Sequence, residues 1–118
     1  MPSQSPIVRM EHILEAVGDI ESFIAGKSYQ EFLGSLLLRR AVERSVEIIS
    51  EASRYIPDAM KERHTEIPWR KVAAVGNVLR HGYEGVDERE IWRIVQRDLP
   101  RLKAVIEEMY GETRAFLD

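Results

Sequence analysis

The sequence predicts an all-α domain, a bundle of four to five helices of a size that often completes its core by pairing with a second copy. Apolar residues recur at helical spacing along almost the whole chain, and no stretch reads as a β-strand. Capping and breaking residues divide this pattern into separate helices with short connections. A length of 118 residues suffices for one hydrophobic core and is too short for two. Residues 1–118 are therefore expected to form one domain, with its core at about 6–112.

The first helix is expected to start near Pro6, with Ser5 as N-cap and the proline at the first helical position. Its inward face is Met10, Ile13, Leu14, Val17, Ile20 and Ile24, and Gly26 ends it. Ser28 and Glu31, in "SYQE", form a capping box for the second helix. That helix carries Phe32, Leu36, Val42, Val46, Ile49 and Ala52, with an interruption near Gly34 and an end before Pro57. Residues 57–67 read as turn with one short helical turn, and a third helix runs from about Pro68 to His81. "GYEG" breaks the chain after it. Asp87 and Glu90 then cap a long last helix whose stripe is Ile91, Ile94, Val95, Leu99, Leu102, Val105, Ile106 and Met109. Pro100 lies inside that stripe and predicts a kink or a break. Trp69 and Trp92 are expected to anchor the core or an interface. Surplus apolar positions such as Leu37, Leu38 and Ile48 suit burial against a second copy, most simply about a two-fold axis.

Composition excludes several classes. There is no cysteine, which rules out disulfides, thiol catalysis and cysteine metal sites and fits a cytoplasmic protein. The N-terminus has no apolar segment of signal-peptide length, and "FLGSLLL" is far too short to span a membrane. The formal net charge is −3, so any contact with nucleic acid must come from a local cationic cluster. Arg39, Arg40, Arg44, Arg70, Lys71 and Arg80 are the candidates. His12 and His64 read as surface residues, three scattered histidines do not make a metal site, and no cofactor fingerprint is present.

The stretch "GNVLRHGY", residues 76–83, gathers Asn77, Arg80, His81 and Tyr83 at the end of the third helix. A histidine at a helix C-terminus can simply favour the helix dipole, and an arginine there can be a surface cation. The same residue types also suit a site that handles phosphate. Histidine titrates near neutrality and can move protons, while the arginine fork donates two hydrogen bonds to a phosphate. Arg44, mid-helix among apolar neighbours, is either a paired structural residue or a cleft residue, and Glu51 is a further possible cleft residue.

"EIPWRKVAAVGNVLRHGYEGVD", residues 66–87, resembles the signature region of the HepT-like toxins of the HEPN superfamily. "MEHILEAVGDIESFI", "AVERSVEIISEASR" and "IWRIVQRDLPRLKAVIEEM" are similar to that family's first, second and last helices, in the expected order. The resemblance implies a homodimeric, metal-independent endoribonuclease with its cleft between protomers. It implies an up-and-down helical bundle and the role of toxin in a type VII toxin–antitoxin system. It also implies a small MNT-type nucleotidyltransferase antitoxin as partner, which can adenylylate the tyrosine of a His-x-Tyr motif, here Tyr83. His81 and Tyr83 match that motif, and Asn77 matches the polar residue that follows its arginine. The arginine itself is absent: Gly76 stands five residues before His81. Arg80, one helical turn after Gly76, is expected to lean back over the glycine and substitute, because Gly76 would leave that surface open. The catalytic set is then His81, Arg80 and Asn77. The alternative is a non-catalytic helical partner subunit that binds a nucleotidyltransferase or RNA.

Overall fold

A computed structural model describes residues 5–81 and 87–117, with side chains at 5–79 and 87–116. Those residues form α1 (Pro6–Ile24), α2 (Tyr29–Gly34), α3 (Leu36–Ser53), α4 (Asp58–Lys61), α5 (Trp69–His81), α6 (Glu88–Arg93) and α7 (Leu99–Leu117). The short α2 and α4 sit between longer helices, so the bundle itself is built by α1, α3, α5 and the α6–α7 arm. No helix among the described residues is long and apolar enough to cross a membrane.

The caps form where the sequence predicts them. Ser5 Oγ accepts from Val8 N, with Pro6 at the first helical position. At α2, Ser28 Oγ accepts from Glu31 N at 3.1 Å while Glu31 returns a carboxylate oxygen to Ser28 N at 3.0 Å, a complete capping box. That bond to the backbone amide of Ser28 holds the Glu31 carboxyl below its ordinary range. Asp87 caps α6 by accepting from Arg89 N and Glu90 N. After α1, Gly26 takes φ 72°, the left-handed conformation that favours glycine, and turns the chain.

The interruption expected near Gly34 falls at Ser35, which has extended dihedrals and caps α3 through Leu38 N at 3.1 Å. The break resets the helical phase. Leu36 therefore does not join the core as its spacing suggested, but stands 55% exposed in the first turn of α3. Helical structure continues through Pro100 without a break. The five residues Ile94–Asp98 widen into a π turn, and Leu99 N donates to Ile94 O. In a regular helix the proline ring would meet the carbonyl four residues earlier, and one extra residue in the turn moves that carbonyl away.

The core is continuous. Met10, Ile13, Val17 and Ile20 of α1 pack with Val42, Val46 and Ile49 of α3 and with Leu102, Val105, Ile106 and Met109 of α7. α3 is central: it packs against α1 on one side and α5 on another, and α7 packs against α1. Between α5 and the α6–α7 arm lies an apolar groove of about 380 Å³, lined by Val46, Ile49, Val72, Val75, Ile94 and Leu102 among others. Trp92 stacks at an angle on Phe32 (5.1 Å) and Tyr29 (6.0 Å), fastening α2 to α6. Trp69 donates Nε1–H to His64 O at 3.1 Å. His64 is not a surface residue as the sequence suggested; it is buried, because its main chain is drawn in by Trp69 and lies against α7.

One buried contact is electrostatically unfavourable. Glu43 of α3 and Glu88 of α6 each hold a buried Oε2 with no hydrogen-bond partner among the described residues. Burial first, and then the neighbouring Glu43 carboxylate, push the Glu88 carboxyl above its ordinary range; Arg39 and Arg40 offset part of this. Protonation of Glu88 relieves the repulsion and supplies a donor. The folded state therefore holds this proton more tightly than the unfolded state. Stability should fall as pH rises from the ordinary glutamate range through the raised value, then level off. Urea midpoints measured across that range should show the fall in the parent and a flatter profile in Glu88→Gln; equal slopes in the two would assign the dependence to other groups.

Candidate functional site

α5 is seated on α3 by a close contact of main chains. Ser50 Oγ donates to Ala73 O at 2.9 Å and accepts from Gly76 N at 3.0 Å, and Arg54 donates to the same Ala73 carbonyl at 2.8 Å. A Cβ built on Gly76 would lie 2.7 Å from Ser50 Oγ and 3.0 Å from Ser50 Cβ, with Glu47 O at 3.9 Å. Position 76 is therefore glycine because a side chain there has no room. This corrects the expectation that Gly76 keeps a surface open for Arg80: Gly76 is buried, and Ser50 fills the space above it.

The same contacts set the direction of α5. Ala73 lies level with Ser50 and Arg54, and Gly76 lies level with Ser50 and Glu47. α5 thus runs antiparallel to α3, and its last turn, residues 77–81, advances towards the Arg40–Arg44 end of α3. Glu88, at the start of α6, meets Arg39 (3.7 Å) at that same end. The backbone of residues 80 and 81 is helical. The side chains of Arg80 and His81, and the whole of Tyr83, lie outside the described residues. Asn77 is exposed on α5.

Arg44 and Glu51 share a polar cavity of about 140 Å³ between α1 and α3. Sequence reasoning missed two of its other members, Arg9 and His12 of α1, and Glu47 completes the polar lining. Arg9 and His12 are three residues apart on α1; Arg44, Glu47 and Glu51 follow helical spacing on α3. A polar stripe beside each apolar stripe was the available signal. The Arg9 guanidinium lies 3.8 Å from the Tyr55 ring centroid, and its buried Nε has no hydrogen-bond partner among the described residues. At about 30 Å³ per water, the cavity admits a few waters and not a nucleotide. With two arginines facing two carboxylates it is charge-balanced, so it can align polar groups but is not a bare phosphate trap.

The other cationic candidates are largely occupied. Arg40 pairs with Glu43 at 3.1 Å and Arg44 with Glu47 at 3.4 Å, both three residues apart on α3. Arg39 donates to Leu33 O at the end of α2 and reaches Glu88. Arg70 and Lys71 are exposed near the start of α5.

Residues 13–109 match the family model described as ribonuclease HepT-like. A candidate RNase of Methanocaldococcus jannaschii is 39% identical over 95 residues, covering 80% of this chain and 87% of its own. A candidate ribonuclease HepT of Thermococcus cleftensis is 42% identical over 100 residues, covering 85% and 91%. A candidate RNase of Caldanaerobacter subterraneus is 33% identical over 106 residues, covering 90% and 95%. No solved structure matches the chain with significance.

The α3–α5 contact makes a direct prediction. Overpacking costs about 1–3 kcal/mol, whereas replacing a helical glycine by alanine gains at most about 1 kcal/mol. Gly76→Ala should therefore lower the urea midpoint, and Gly76→Arg should lower it further. A stabilised Gly76→Ala protein would contradict the close-approach reading.

Proposed function

This chain belongs to the HepT-like ribonuclease family, and we propose that it is the toxin of a toxin–antitoxin pair, a cytoplasmic homodimeric endoribonuclease that needs no metal for cleavage. The family and its named relatives carry the ribonuclease part of this reading. The observation that supports the rest is the antiparallel register of α3 and α5. It directs the turn containing Asn77, Arg80 and His81 towards the arginine-bearing end of α3.

In the proposed reaction the 2′-hydroxyl of RNA attacks the adjacent phosphorus. The 2′-oxygen loses its proton to His81, the bond to the 5′-oxygen breaks, and that oxygen takes up a proton as it leaves. The products are a 2′,3′-cyclic phosphate and a 5′-hydroxyl. Arg80 stabilises the extra negative charge on the phosphoryl oxygens, and Asn77 adds a neutral donor. Arg44 and Glu51 belong to the cleft, where they orient groups around the phosphate. A nucleotidyltransferase antitoxin would silence the site by adding nucleotide to Tyr83, which brings phosphate charge beside the same donors.

A second reading has a specific observation in its favour. The position where the family motif has its arginine is Gly76, and the Ser50 contact leaves no space for a side chain there. A subunit without that arginine would suit a non-catalytic partner that binds a nucleotidyltransferase or RNA.

Incubating the purified, unmodified protein with total RNA in the presence of a chelator separates the two. The enzymatic reading predicts cleavage that falls by roughly 100-fold or more in Arg80→Ala and in His81→Ala. Arg80→Lys should also be poor, since a point charge does not reproduce the bidentate fork. Undiminished cleavage in Arg80→Ala would remove Arg80 from the mechanism, and no cleavage by the parent would favour the partner subunit. For the assembly, light scattering should give the mass of a dimer at micromolar concentration. The 82% exposed Leu37 is the first position to test, as Leu37→Asp should shift the protein towards monomer if this surface is shared. With nucleotidyltransferase and a nucleoside triphosphate supplied, the mass increase should map to Tyr83, and modification confined to other residues would count against that role.

A further inference from the structure

We propose that His64, Glu108 and Glu112 form a binding site for a first-row divalent cation such as zinc, tying the turn before α5 to α7. The one imidazole and two carboxylates bring their ligand atoms within 4.8 Å of one another. Glu108 and Glu112 are four residues apart and share one face of α7. His64 comes from the connection between α4 and α5, so the set joins two elements far apart in the chain.

His64 makes this more than a cluster of acids. It is 7% exposed, and its Nδ1 lies 3.9 Å from Oε2 of both Glu66 and Glu108. Those distances are too long for hydrogen bonds. A buried ring thus faces two acceptors and bonds to neither. The main chain that carries the ring is held in place: His64 N donates to Lys61 O at 3.0 Å, and its carbonyl accepts from Ile67 N at 3.2 Å and from Trp69 Nε1 at 3.1 Å.

The acids supply the movable half. The side chains of Glu108 and Glu112 are 61% and 44% exposed, so their carboxylates can turn without disturbing the core. Metal–ligand distances of about 2.0–2.2 Å bring ligand atoms to roughly 3–3.5 Å apart, a closure that carboxylate rotation supplies. Glu66 is within reach as a fourth ligand, with water as the alternative. The local charge favours a cation, since three carboxylates surround the ring and Arg63, 3.7 Å from Glu112, balances only one of them. An imidazole with carboxylates suits zinc and its first-row neighbours better than magnesium or calcium, which prefer all-oxygen sets.

The proposed ion is structural. It fixes the segment from which α5 starts, does not touch the cleft residues, and is independent of the ribonuclease reading. The test is a titration of zinc chloride into chelator-treated and dialysed full-length protein, followed by calorimetry and by thermal unfolding. The expected result is a single ion per chain at micromolar affinity and a raised unfolding midpoint. In the double variant Glu108→Gln with Glu112→Gln, affinity should fall by at least the roughly 10–100-fold typical of losing even outer-shell support, and the zinc-dependent rise in midpoint should disappear. His64→Ala should lose binding too; if that variant fails to fold, the glutamine pair at the surface still decides. Absence of zinc binding by the parent protein, or undiminished binding by the glutamine pair, overturns the proposal.

Discussion

The approach of α5 to α3 at Ser50 and Gly76 is the constraint on which the rest of the molecule depends. A serine hydroxyl sits between two helices, donating to Ala73 O and accepting from Gly76 N, and no side-chain atom separates it from the α5 backbone. Helices packed this closely cannot slide, because each is registered to the other through main-chain groups. The depth at which α5 seats, the level at which its last turn ends and the width of the groove on its far side all follow from that contact. Arg54 reinforces it from the side with a second donor to the Ala73 carbonyl.

The charge pattern of α3 qualifies what a nucleic-acid contact here can mean. The arginines nearest the candidate site do not face solvent alone: each has a glutamate one turn away. The Arg44–Glu47 pair is largely exposed on the arginine side and contributes little to stability, about 0.3–0.5 kcal/mol, whereas Glu43 is buried and depends on Arg40. The pairing is consistent with the net charge of −3, since each of these cations has a neighbouring carboxylate.

Much of the fold was legible in the sequence because its signals are local. Ser5, Ser28 and Asp87 cap helices whose starts they mark, and the stripe from Ile91 to Met109 is buried apart from the half-exposed Ile94. The departures share a cause: each depends on what a residue meets in space. Leu36 follows the right spacing but sits beyond a phase break. Pro100 was read as a disruption, whereas a π turn absorbs it. His64 looked polar and exposed, and only the fold shows it lying against α7. At the candidate site the residue types were readable, but the reason for Gly76 was not, since nothing near position 76 in the sequence points to Ser50. Arg9 and His12 went unseen for the same reason, as their neighbours lie on another helix.

The helix that carries the candidate site rests on a single neighbour for most of its packing, with the apolar groove on its other flank. α1 lies between α3 and α7 and is embraced from both sides. Local opening therefore need not involve the whole molecule. α5 and its flanking segments can separate as a unit while the α1–α3–α7 layer persists, and their amide hydrogens then exchange with solvent at a lower free-energy cost than those of α1. In a protein of this size such an opening reorganises the site without unfolding the core. The hydrogen bonds at Ser50 are among the contacts that such an opening breaks.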